Sequence, residues 1–226
     1  MRKMMASFGA VAMGAAALVC GSTAHAQEAR YLQQSVPAPS NALELRVGTG
    51  YTQGFGNILP GQGLSRVAGP GVGVDVGVAN RVSQHWSYGV EGEYQEFASG
   101  LNAAARGVTL GIGATDHLNP TLRGDPFVRV GGGYRMLWSV NPPGAPTTTI
   151  HGLELAKGTF GYDVRVSPDI AISPQVGAGL DMFVFQNTSG VNRGLFPQVA
   201  AFVFAGFGGR FDLGGTRGPA ANVAAR

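Results

Sequence analysis

The chain is short of almost everything that holds a soluble exported protein together. Its 226 residues include one cysteine, Cys20, and two lysines, Lys3 and Lys157. Charged residues make up only 13%, whereas a soluble surface runs at about 25–35%. The cysteine and one lysine fall in a leader-like segment. Arg2 and Lys3 start it, Ala6 to Val19 is small and apolar, and Ala24-His25-Ala26 forms an A-x-A cleavage site before Gln27. Residues 1–26 therefore read as a signal peptide. Its apolar stretch of about 14 residues is too short for a spanning helix, which needs about 20. Cys20 offers a lipid-modified N-terminus as the alternative, with Val19 a poor fit before it.

Cleavage leaves a chain that can form no disulfide, although it enters an oxidising compartment. It also removes two of the three net positive charges. The basic balance is then no argument for nucleic acid, and none is expected as a partner. No window beyond the leader holds ~18 consecutive apolar residues, so no spanning helix is expected. No Cys/His spacing suggests zinc. The glycine pairs in Gly48-Thr49-Gly50 and Gly71-Val72-Gly73 are followed by no helical pattern, so they are not phosphate loops. No cofactor is expected.

What is present is alternation. In 71–79 every even position is valine and every odd one is glycine, alanine or Asp75. A strand sends successive side chains to opposite faces. The pattern recurs at about 42–53, 71–79, 85–97, 104–115, 126–138, 158–166, 170–184 and 197–213. One face holds Val, Leu, Ile and aromatics; the other holds glycine with sparse charges. Leu153 and Leu155 have the wrong parity for the sixth strand, which predicts a bulge or a loop segment near Ala156-Lys157, with Lys157 close to a loop. Phe202 and Phe204 fall on the polar face of the last strand, where they fill space the glycines leave. Turns at 80–84, 116–125 and 167–169 are short. Loops at 54–70, 139–157 and 185–196 are longer, with 98–103 the exception. Residues 27–41 and 214–226 read as flexible.

A soluble barrel would hide the apolar face, but the other face has too little charge to meet water. Turning the register over would put Asp75, Glu91, Glu93, Arg129 and Arg135 into lipid, at up to ~2–4 kcal/mol for each Arg at the midplane. The reading is an all-β, eight-stranded antiparallel up-and-down transmembrane β-barrel over 42–213. Lipid faces the apolar stripe, with a girdle of Tyr51, Trp86, Tyr88, Tyr94, Trp138, Phe160, Phe207 and Phe211. The lumen is lined by Glu44, Arg46, Asp75, Glu91, Glu93, Arg106, Arg129, Arg135, Asp163, Arg165, Asp181 and Arg210.

With its signal peptide, eight alternating strands and the ending Gly208-Gly209-Arg210-Phe211-Asp212-Leu213, the chain resembles the small outer-membrane β-barrels of the OmpA transmembrane-domain, OmpX and OmpW type. The resemblance spans 42–213 and is architectural. It implies a bacterial outer-membrane location, with membrane lipid, lipopolysaccharide and the barrel-assembly machinery as partners. The terminal aromatic resembles the assembly signal of such families, which usually stop there; here 214–226 follows.

The expected role is structural or surface-interacting, with a surface ligand for the long loops. The alternative is a narrow porin-like channel lined by Glu91, Glu93, Arg129 and Arg135. A third reading is a lipid-modifying enzyme at the outer rim, using His151 and Glu154 with Ser99, Ser189 or Glu96. His85 and His117 read as structural or solvated.

Overall fold

The computed structural model describes residues 30–59, 61–98, 104–140 and 146–217. The expected signal peptide, the end of the tail, Ser99 and most of 139–146 lie outside the described residues. Eight long strands follow in order: β1 Ala42–Leu59, β2 Pro70–Arg81, β3 Trp86–Ala98, β4 Ala104–His117, β5 Gly124–Val140, β6 Thr148–Ser167, β7 Ile170–Thr188 and β8 Val191–Leu213. Each pairs antiparallel with the next, and β1 pairs with β8 from Leu43↔Leu213 to Gly56↔Ala200, closing the ring. Closure leaves no sheet edge. Following partners round from Val47 arrives at Val199, yet Val47 pairs directly with Gly209. That offset is the shear, and it tilts the strands.

Alternation determines the two faces. Val72, Val74, Val76 and Val78 point outward and are exposed, as are Val90, Leu110, Ile112, Val130, Val176 and Leu180. A continuous apolar outer surface of this extent suits hydrocarbon rather than water. Among the described residues no helix is long and apolar enough to cross a membrane; the crossing elements are strands.

Two expected loops are strand instead. β6 has 20 residues and β8 has 23, where a tilted crossing needs about 9–11. Residues 148–157 belong to β6, and the expected loop 185–196 is a hairpin closed by Ser189 and Gly190 with φ of 50° and 84°. Two successive positive φ values make a turn whose twist matches its strands. Bulges hid the strands. In β6 the register shifts at Leu155, so that Leu155 and Ala156 both face outward and the parity reverses. A second shift sets Phe183↔Gln198 beside Phe185↔Gly194.

At the turn end, residues 34–40 are pinned rather than free. Val36 N donates to Thr121 O at 3.0 Å, Ala38 N to Pro120 O at 2.7 Å, and Arg123 N to Gln34 O at 2.8 Å. Ser40 and Thr216 exchange backbone bonds, tying this strap to the segment after β8. At the other end a two-residue strand, Gln62–Gly63, pairs back onto β1, and the 3-10 turn Leu64–Arg66 drops Leu64 into the barrel mouth.

Candidate functional site: the lumen and its two ends

The lumen is filled in layers. At the turn end, Glu44 accepts from Arg46 and from Arg81 Nε at 3.2 Å. Arg165 Nη1 donates to Asp212 Oδ2 at 3.1 Å, and Arg210 donates to Asp163, which Ser173 also reaches. His117 Nδ1 lies 2.9 Å from Asp125 Oδ2. Four carboxylates, Glu44, Asp125, Asp163 and Asp212, meet four guanidiniums, Arg46, Arg81, Arg165 and Arg210. Low-dielectric burial makes an unpaired charge costly, so balance is the condition for this layer to exist.

His117, Asp125 and Asp163 offer ligand atoms within 4.8 Å of one another. Arg210 Nη1 stands 3.3 Å from His117 Nδ1 while bonded to Asp163, so the guanidinium already fills the cationic position. These residues do not fit a metal.

The middle layer centres on Lys157, whose Nζ donates to Glu91 at 3.1 Å and Glu93 at 3.0 Å. Arg129 Nη1 reaches Glu91 at 3.3 Å. Two cavities of about 20 Å³ each share Asp75 and Gln175 as lining; each is large enough for a water. Above them Arg135 donates from Nε to Asp181 at 2.8 Å, from Nη2 to Glu154 at 2.9 Å and from Nη1 to Gln95 at 2.6 Å. The face of Phe202 lies 4.2 Å from that guanidinium, a cation–π contact.

Phe202 also belongs to the next layer, which is apolar. Ile58, Leu64, Ala68, Phe97, Ala105, Leu137, Ile150, Phe183 and Ala200 pack with it at the loop end, all buried. This plug shuts the barrel mouth.

Eleven of the twelve expected lumen residues point inward. Arg106 does not. It shares the outer face with Val108, and its Nε donates to Glu96 at 3.0 Å, both side chains being exposed. Parity explains the correction: even positions of β4 face out. Lys157 moves the other way, from an expected loop into the lumen, because the bulge reverses parity just before it. Sequence reading also missed Arg81, His117, Asp125 and Glu154, which sit at strand ends or beyond the bulge. The plug had a readable signal: apolar residues on the inward parity, gathered at the loop ends of strands.

All eight expected girdle aromatics face outward. Trp86 and Tyr88 stack at 6.3 Å, and Tyr94 packs against Trp138 at 6.5 Å. Between these zones, Val90→Arg would place a guanidinium in the middle of the apolar band. Chemical unfolding in lipid vesicles should show a loss of about 2–4 kcal/mol; an unchanged stability would mean that this face does not meet lipid.

The rim candidates are not assembled. His151 is hydrogen-bonded to Tyr134 and stacked on Phe185 at 4.3 Å. Glu154 is on the lumen side of the wall, bound to Arg135. Glu96 is held by Tyr94 and Arg106, and Ser189 is in the β7–β8 turn.

No protein-family model and no curated protein matches the sequence. The structure is similar to that of Neisserial surface protein A, with a TM-score of 0.54 and 10% identity over 75% of this chain and 96% of that one. It is similar also to the outer membrane protein OprG from Pseudomonas aeruginosa, with a TM-score of 0.50 and 10% identity over 78% and 99% of the two chains. At such identity the likeness concerns the fold: this chain has the architecture of small eight-stranded outer-membrane barrels.

Proposed function

We propose that the chain is an exported bacterial outer-membrane barrel, closed to solutes, whose role is structural or surface-interacting. The apolar plug carries this reading. A solute crossing the lumen would have to displace Leu137, Phe183 and Phe202, which are packed together and buried, as well as the ion-paired layers beneath. Purified, refolded protein in planar bilayers should stay silent across a range of voltages; steady unitary currents would return the narrow-channel reading.

The outward hairpins supply the interacting surface. The β7–β8 hairpin extends past the aromatic residues and presents Phe196, 75% exposed, with Val191 beside the turn. Such groups on a rigid scaffold suit a surface ligand. Lipid and lipopolysaccharide would cover the apolar wall. The assembly machinery would engage β8, which ends at Phe211-Asp212-Leu213 even though a tail follows. A catalytic role finds no support in the scattered surroundings of His151.

A further inference from the structure

Ring closure stops short of the top of β8. The β1–β8 ladder ends at Gly56↔Ala200. Gly56, with a φ of 89°, turns β1 away, and Asn57 pairs with Gly63 instead. Residues 191–199 of β8 therefore run on with β7 on one side and no described strand on the other. A tilted crossing needs about 9–11 residues, so this upper part of a 23-residue strand stands outside the hydrocarbon.

The turn fixes which groups face the open side. Ser189 and Gly190 are the two central residues of the hairpin, so Thr188 and Val191 are its hydrogen-bonded closing pair. Pairs then alternate. Asn187↔Asn192 and Phe185↔Gly194 are the pairs without ladder bonds, and the N–H and C=O of Asn192 and Gly194 point away from β7. The side chains agree: Asn187 Nδ2 donates across to Asn192 Oδ1 at 2.7 Å. From Val191 to Gly194 every residue is exposed and none is proline. The bulge and the proline that blunt an edge come only below, at 195–197. Beside the edge stand Phe196, 75% exposed, and Arg193, which has no ion pair or hydrogen bond among the described residues.

We propose that this edge docks an extended peptide segment of another protein, which adds to β8 as a further strand. Donors and acceptors alternating at strand spacing suit a polypeptide backbone. Arg193 calls for a carboxylate on that segment and Phe196 for an apolar side chain, and the bulge limits pairing to about four residues. The chain's own terminal segments do not compete, because both leave the barrel at the turn end, where Ser40 pairs with Thr216. A second copy does not fit either. Two copies in one membrane stand the same way up, and a two-fold axis along the membrane normal sets each N–H of one edge level with the same N–H of the other.

The test uses the refolded mature barrel in nanodiscs and a short fluorescent peptide that alternates valine and glutamate. Lysine replaces glutamate in a second peptide, and a third has its backbone amides methylated. The glutamate peptide should bind, and the other two should bind roughly tenfold or more weakly. Gly194→Pro removes an edge N–H that β7 does not use, at a position where a Cβ would meet nothing within 4 Å. It should weaken binding by a similar factor, and Gly194→Ala should not. Arg193→Glu should shift the preference to the lysine peptide, which keeps the test decisive if the proline variant does not fold. No binding of the glutamate peptide would overturn the proposal, as would binding indifferent to methylation, to Gly194→Pro or to Arg193→Glu. Dimers in nanodiscs that Gly194→Pro dissolves would also overturn it, by giving the edge to a second copy. Such docking rests on the surface-interacting reading but fails separately from it. Unitary currents in planar bilayers would sink that reading, whereas a silent barrel that ignores the peptide loses only this edge.

Discussion

Arg210→Met is expected to lower the unfolding free energy by about 3–5 kcal/mol, the cost of leaving a buried carboxylate without its cation. Arg210 holds Asp163 directly and approaches Asp212 at 3.5 Å, with side chains only 5%, 2% and 1% exposed. Asp212 keeps Arg165 as a partner; Asp163 keeps the Ser173 hydroxyl and the His117 ring at 3.6 Å, but no guanidinium among the described residues. The loss should therefore fall on Asp163, and Arg210→Met combined with Asp163→Leu should recover much of it. A double-mutant cycle by denaturant unfolding in vesicles measures the coupling. If the single variant is as stable as wild type, water already neutralises this layer and the ion pairs do not hold the barrel.

Gly206→Val should abolish the folded form. Gly50 and Gly206 face each other across the β1–β8 seam, the last pairing needed to close the ring. A Cβ on Gly206 would stand 2.2 Å from the Thr49 carbonyl oxygen and 2.7 Å from the Gly50 Cα. Neither is the end of a side chain that can swing away, so the ladder itself must part. Overpacking a core costs about 1–3 kcal/mol when side chains can adjust; here the strands cannot. The gel assay that separates folded from heat-denatured barrel should show no folded band. Gly209→Ala is the contrast. It lies on the same strand, its nearest neighbour would be 3.6 Å away, and the folded band should persist.

The barrel was legible because two signals agreed. Period-two alternation marked the strands, and the inward face was too rich in glycine and too poor in charge to be a surface. Valines 72, 74, 76 and 78 alone carry both. The failures along β6 and β8 share one physical origin, which is that a bulge changes parity. Leu153 and Leu155 look misplaced until one extra residue in β6 is counted, and Lys157 then moves from a loop to the lumen. Residues 195–197 do the same to β8, turning a strand into an apparent loop. The strap at 34–40 has no period at all, since it is held by main-chain bonds to the 118–123 turn. The ion layers were visible as a set of charges but not as pairs. Which carboxylate meets which guanidinium depends on the shear, and alternation says nothing about shear.

Lys157 has a chemical consequence of its own. It is the sole lysine beyond the leader-like segment, and its amine is clasped between Glu91 and Glu93 inside the wall. Reagents that acylate amines, and enzymes that attach groups to lysine, find no side chain to modify on the outside of the folded barrel. The intact protein is thus nearly invisible to that chemistry, and reaction at Lys157 would report that the ring had come open.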